Sequence, residues 1–172
     1  MATSTSAEAD PPLAPRDVVL DTVAAQVAAI DELVDLARHR LQIFDVDLSQ
    51  GGWQSAARAE KLAAFLRRSV RPRIDLIVHD TRWLETACPR MLALQRLHAE
   101  AVTVYRTGPE ARSAMDPLLI ADGRHFLHRF HIDHPRAAFA VEQPQLARSL
   151  VTRFEQIWAT GEPGLSATVL GL

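Results

Sequence analysis

Two apolar runs, Leu118 to Ala121 and His125 to Phe130, are joined by only Asp122-Gly123-Arg124. Asp-Gly tolerates the left-handed backbone of a tight hairpin turn, so these runs read as adjacent antiparallel strands. The buried strand and its turn, Asp116 to Arg124, constrain the rest of the chain. They require a sheet, and the neighbouring segments must supply its other strands and the helices that cover it.

Those segments are legible by hydrophobic period. Arg16 to Arg40 reads as a helix, because Leu20, Val23, Val27, Ile30, Val34 and Ala37 recur in steps of three and four. Leu41 to Leu48 (LQIFDVDL) reads as a strand, broken by Gly51-Gly52. An amphipathic helix follows from Trp53 to Arg68, then a strand from Arg73 to Val78. Asp80 or Thr81 caps a further helix that runs to about Glu100. Ala101 to Tyr105 is the strand before the hairpin, and Arg136 to Val141 the strand after it. Pro144 stands in the first turn of the last helix, Gln143 to Ala159. Strands and helices alternate first, then strands cluster. The expectation is an α/β sandwich with helices on both faces of a largely parallel sheet carrying one antiparallel hairpin. Right-handed crossovers put the two central helices on one face.

At 172 residues, 48% hydrophobic and 23% charged, the chain suits one soluble domain with a full core. The domain is expected over residues 16–160, with the helix 16–40 at its start. Residues 1–15, small, acidic and proline-bearing, read as a flexible tail. Residues 161–172 read as a second loose end, on which Leu165, Val169 and Leu170 are able to dock. No apolar stretch approaches a membrane span and no secretory leader is evident. The single cysteine, Cys88, forbids an internal disulfide and fits a reducing cytoplasm. Cys88 reads as a packing residue, as do Trp53, Trp83 and Trp158. A net charge of −2 disfavours nucleic acid as a partner. Arg67, Arg68, Arg71 and Arg73 are too few to reverse that and read as solvated helix ends.

The same hairpin, together with the ending Arg153-Phe-Glu-Gln-Ile-Trp-Ala-Thr-Gly161, resembles the phospholipase D superfamily over roughly Leu33 to Ala159. It also resembles an uncharacterised bacterial domain of that type, sometimes attached to acetyltransferase-like proteins. In the superfamily the strand before the turn carries His-x-Lys-x4-Asp. Asp122 matches the acidic position. Met115 stands where the resemblance expects the nucleophilic His, and Pro117 where it expects Lys. No His-x-Lys occurs elsewhere, since Lys61 is the only lysine and follows Arg58-Ala59-Glu60. The resemblance implies a homodimer, because active members need two facing motifs and this chain has room for one. It therefore implies a frame without its catalyst: a non-catalytic module for binding, regulation or dimeric scaffolding, with no cofactor. Taken by itself, Asp122 reads as the turn residue of the hairpin.

Other constellations define the alternatives. Ligands of open α/β sheets sit outside the carboxyl ends of the strands. Asp47, Ser49, His79, Asp80 and Arg106 fall at such ends, and with Arg124 and His125 they form the candidate site for a small anion such as a phosphate or carboxylate. An enzyme of different chemistry built on these residues, or a phosphodiester-binding domain, is the alternative. The histidines at 125, 128, 131 and 134 alternate across a strand, so they do not converge unless the segment turns. His131, Asp133 and His134 lack the further ligands of a zinc site, and no metal is assigned. Ser113 and Ser149 have no hydrolase elbow around them, and Gly51-Gly52 is not a phosphate loop.

Overall fold

The computed structural model describes residues 11–165. One eight-stranded sheet carries the fold, in the order β1-β7-β6-β5-β2-β3-β4-β8. The strands are β1 (Arg16–Leu20), β2 (Arg40–Asp45), β3 (Arg73–Val78), β4 (Val102–Arg106), β5 (Leu118–Ala121), β6 (His125–Arg129), β7 (Ala137–Val141) and β8 (Glu162–Pro163). The helices are α1 (Val23–Leu36), α2 (Ala56–Arg68), α3 (Arg82–Ala87), α4 (Pro89–Leu97) and α5 (Pro144–Trp158).

Only the β2–β3 and β3–β4 pairings are parallel. The other five are antiparallel, so the sheet is mostly antiparallel and not largely parallel. The difference arises at β5, which lies beside β2 rather than beyond β4. Its register, Leu41 with Ala121 and Phe44 with Leu118, runs it against β2. The chain then folds back on itself through β6 and β7, and β1 closes that edge.

Arg16 to Leu20 is a strand and not the first turns of a long helix. Val18, Val19 and Leu20 favour strand through their branched, apolar side chains, and β1 pairs with β7 over its full length. The helix starts only after Thr22, whose Oγ1 accepts the Ala25 N–H at 3.1 Å. At the far end of α1, Arg68 reaches across from α2 to the carbonyls of Val34, Asp35 and Ala37. Arg68 is thus a C-terminal cap, not merely a solvated charge. The helix expected over residues 81–100 breaks at Cys88-Pro89 into α3 and α4, because Pro89 has no N–H to donate. Trp53 precedes α2 rather than lying in it, although it is buried.

Alternation along each strand sorts side chains to two cores. On one face Leu41, Ile43, Leu76 and Leu119 pack under α1, α2 and α4. On the other, Phe44, Ile77, Ile120 and Phe126 pack under α5, through Ala147, Phe154 and Ile157. Leu33, Phe65 and Phe154 are fully buried, each worth about 1.5–3 kcal/mol in transfer from water. Trp158 is half-buried and stacks on both Tyr105 and Phe154. Cys88 is buried, and burial pushes its thiol pKa up. Glu162–Pro163 pairs with β4, and Leu165 packs on the core, so this part of the expected tail is ordered. Pro11 to Pro15 is exposed and irregular. The remainder of the first tail, and Val169 and Leu170, lie outside the described residues.

Among the described residues no helix is long and apolar enough to cross a membrane.

Candidate functional site

β2, β3 and β4 run in the same direction and end at the same edge of the sheet. The strand-end residues gather there. His79 follows β3 and is buried by Phe44, which meets its ring edge-on at 5.3 Å. Its Nδ1 lies 2.6 Å from the Thr107 hydroxyl and its Nε2 2.6 Å from the Ala114 carbonyl. The carbonyl can only accept, so Nε2 carries a proton. Both ring nitrogens are engaged, and His79 holds the loops after β3 and β4 together.

Outside His79 lies an open cleft of about 410 Å³, walled by Asp80, Thr81, Arg82, Glu85, Arg106, Arg112 and Gly164. Asp80 accepts from the Arg82 backbone N–H at 2.9 Å and from Arg82 Nε at 2.8 Å. Those bonds, chiefly the one to the Arg82 side chain, hold its carboxyl below the usual range. It is Asp80, not Thr81, that caps this turn. Arg106 extends from the end of β4 and only grazes Glu162, at 3.9 Å. Arg112 donates from Nε to the Thr107 carbonyl at 3.3 Å. Three arginines, with Asp80 and Glu85, thus line one exposed cleft. Planar forks of this kind take phosphate or carboxylate oxygens two at a time.

His79, Asp80 and Arg106 of the sequence-derived site therefore come together. Asp47 and Ser49 lie at the same edge but beyond β2, where the Asp47 carboxylate accepts the Ser49 N–H at 2.9 Å in a local turn. Arg124 and His125 do not join them. β5 is antiparallel to β2, so the hairpin turn sits at the opposite edge of the sheet. There His125 is buried, its Nδ1 accepts the Glu142 N–H at 2.9 Å, and burial lowers its pKa. Arg124 pairs with Glu142 at 3.5 Å. Arg82 and Arg112 were missing from the sequence reading. They follow no strand directly, and only the fold of the two loops brings them to the cleft.

Asp122 sits at that opposite edge too, with φ +54°. Its carboxylate accepts three backbone N–H groups, from Arg38 at 2.8 Å and from His39 and Arg40 at 2.9 Å. It is more than a turn residue, since it fixes the entry to β2.

At the strand-end edge, just before β5, the Met115 carbonyl accepts the Ile132 N–H and the Pro117 carbonyl the Arg129 N–H. Between them Asp116 meets His128 Nε2 at 2.8 Å and Arg153 Nε at 2.6 Å. Burial alone would raise the Asp116 pKa, but these two donors and the Arg153 charge hold it at about 2. The histidines do not converge: His128 turns to Asp116, His131 Nδ1 accepts the Asp133 N–H, and the His131 and His134 rings lie 5.8 Å apart. Among the described residues no group of three or more acidic, histidine or cysteine side chains is placed to hold a metal ion.

Another pocket lies beneath the β2–α2 loop, on the α1 face. It is about 40 Å³, with Asp45, Gln50, Trp53 and Arg129 among its walls. Asp45 is buried, and burial raises its pKa to about 6 against the lowering effect of the Leu48, Val46 and Asp47 N–H groups. Leu48, in the same loop, is buried with φ +69°, a costly backbone for a leucine.

The architecture is phospholipase D-like. Nuc from Salmonella typhimurium, a phospholipase D family member, matches with a TM-score of 0.58 at 14% identity, covering 87% of this chain and 97% of that one. NucT from Helicobacter pylori matches with a TM-score of 0.56 at 10% identity, covering 88% and 100%. TrmBL2, an archaeal chromatin protein described for a novel mode of DNA binding, matches with a TM-score of 0.66 at 10% identity. That match covers 91% of this chain and 56% of TrmBL2. At these identities the likeness is one of fold. A family model described as a domain of unknown function (DUF7931) matches residues 22–167, and the chain belongs to that family. Comparison with curated proteins gives no match.

Proposed function

We propose that this chain is a non-catalytic phospholipase D-like module that binds a small phosphate-class anion in the cleft beyond β3 and β4. The observation that carries this reading is the convergence of Arg82, Arg106 and Arg112 on one cavity of about 410 Å³, where Asp80 engages Arg82 and Glu162 only grazes Arg106. Arg106 and Arg112 keep donors available for a ligand.

The chemistry for hydrolysis is lacking where the fold would place it. Met115 offers a thioether and Pro117 a saturated ring, neither of which attacks phosphorus or transfers a proton. His79 has both nitrogens engaged. Asp116 is held ionised by Arg153 and is no proton donor near neutral pH. The reading includes a homodimer and a cytoplasmic setting. Support for the first is size: the chain spans nearly the whole of Nuc and NucT. A buried, unpaired Cys88 accords with the second.

One observation favours a second reading, that the anion is the backbone of a nucleic acid: the likeness to TrmBL2, whose description names DNA binding. Calorimetric titration separates the two. Inorganic phosphate or pyrophosphate should bind saturably, more weakly at high salt, and Arg106→Gln with Arg112→Gln should abolish the signal. Binding of a DNA duplex with no measurable binding of pyrophosphate would replace the first reading by the second.

A further inference from the structure

The edge of the sheet opposite the arginine cleft carries a second basic surface, made by the α2–β3 and α4–β4 loops. β3 and β4 run in parallel from Ile74 beside Val102, and the Ile74 N–H donates to the Ala101 carbonyl at 2.8 Å, so the two loops lie side by side. Their helices, α2 and α4, cover the same face of the sheet. Residues 67–73 (RRSVRPR) and 96–101 (RLHAEA) hold five arginines and His98 against Glu100 alone. Arg68 caps α1, and Arg73 meets Asp75 at 3.1 Å. Arg67, Arg71 and Arg96 are exposed and make no ion pair among the described residues.

Among these cations stand the two most exposed large apolar side chains of the described residues, Val70 at 78% and Leu97 at 77%. Turns ordinarily take Gly, Asn, Asp or Ser, yet Val70 occupies one here. Arg71 holds φ +54° directly before Pro72, a costly backbone, since proline biases the residue before it toward the extended region. The turn is strained and leaves a valine in water. Leu97 ends α4, where Leu94 reaches the core and Leu97 does not. A single exposed leucine is ordinary. Two apolar tips beside unpaired arginines are what a layer of anionic lipid headgroups accepts. Guanidinium forks take lipid phosphates two oxygens at a time, and the apolar tips meet the acyl boundary beneath. A nucleic acid would satisfy the arginines alone, because no Phe, Tyr or Trp stands on either loop for its bases to stack on.

We propose that these two loops dock on an anionic membrane surface, with Val70 and Leu97 entering the headgroup–acyl boundary and Arg67, Arg71 and Arg96 meeting lipid phosphates. Docking is peripheral and reversible, since two side chains bury far less than a spanning helix. It leaves the arginine cleft at the other edge of the sheet facing water, and it does not depend on what that cleft binds.

The test is sedimentation of the full chain with vesicles of phosphatidylcholine containing about one-third phosphatidylglycerol, against vesicles of phosphatidylcholine alone. The protein should sediment with the anionic vesicles, less so at high salt, and not with the neutral ones. Each of Arg67→Gln, Arg71→Gln and Arg96→Gln should lower the partition coefficient about fivefold. Val70→Ser with Leu97→Ser should lower it about tenfold. All five side chains are exposed, so the variants should keep the wild-type melting temperature and pyrophosphate binding. Failure to sediment with anionic vesicles, equal sedimentation with neutral ones, or undiminished partition in the Val70→Ser, Leu97→Ser protein would overturn the proposal. Binding of a DNA duplex that is lost with the three arginines but kept by the Val70→Ser, Leu97→Ser protein, without vesicle binding, would make this a nucleic-acid surface instead.

Discussion

Arg153, on the closing helix, holds Asp116, in the loop before β5, through a two-point ion pair with Nε to Oδ2 at 2.6 Å and Nη2 to Oδ1. This contact fastens α5 to the segment where the superfamily resemblance places a nucleophile. Asp116, between Met115 and Pro117, is thus a structural joint.

Asp116→Asn should destabilise the protein by about 2 kcal/mol at neutral pH, following the depression of the carboxyl from 3.8 to about 2. The sign is that of a depressed acid. The stabilisation is present above the unfolded value of 3.8 and is lost as pH falls through about 2. Urea denaturation of both proteins across this range should show two curves that converge on acidification. Equal stability at neutral pH would mean the pair contributes nothing net.

Asp45 should show the opposite trend. Its pKa is raised to about 6, so the folded state is favoured while Asp45 is protonated, and that advantage is lost as pH rises from 3.8 through about 6. Asp45→Asn should remove this component of the pH profile and be relatively more stable at mildly alkaline pH. A profile unchanged by the substitution would place the carboxyl in water.

Asp122→Ala should cost about 2 kcal/mol, since it strips the acceptor from three backbone N–H groups. Asp122→Asn should recover part of that, because asparagine keeps one oxygen and tolerates φ +54°. Thermal denaturation distinguishes this structural role from that of a catalytic remnant, whose removal would leave stability unchanged.

Phe154→Ala should cost about 3–5 kcal/mol, as expected for a fully buried aromatic side chain. Trp158→Ala should cost less, since it is half-buried and contributes mainly its stacking on Tyr105 and Phe154. Reversal of that order in denaturant unfolding would mean that Trp158, not Phe154, closes the second core.

The hairpin was legible because Asp-Gly encodes a turn locally. The direction of the sheet was not, because nothing local says that β5 returns beside β2. Arg124 and His125 therefore lie away from the strand-end cleft: in an antiparallel strand the turn after β5 lies at the far edge. β1 was misread because Leu20 and Val23 continue the three-four spacing of α1 backwards into a β-prone stretch. β8 carried no signal, being two residues long and containing a proline, which an edge strand tolerates. The shared location of His79, Asp80 and Arg106 was legible because strand ends follow from strand assignment alone. Arg82 and Arg112 depend on loop geometry, which no spacing records.

Binding without hydrolysis is tested most directly by bis(p-nitrophenyl) phosphate, which is both an anionic ligand and a reporter of phosphodiester cleavage. The account predicts that it competes with pyrophosphate for the wild-type cleft, fails to do so in the Arg106→Gln, Arg112→Gln protein, and releases no nitrophenolate from either. Release of nitrophenolate by the wild-type protein above the rate in buffer, or failure of either compound to bind, would contradict it.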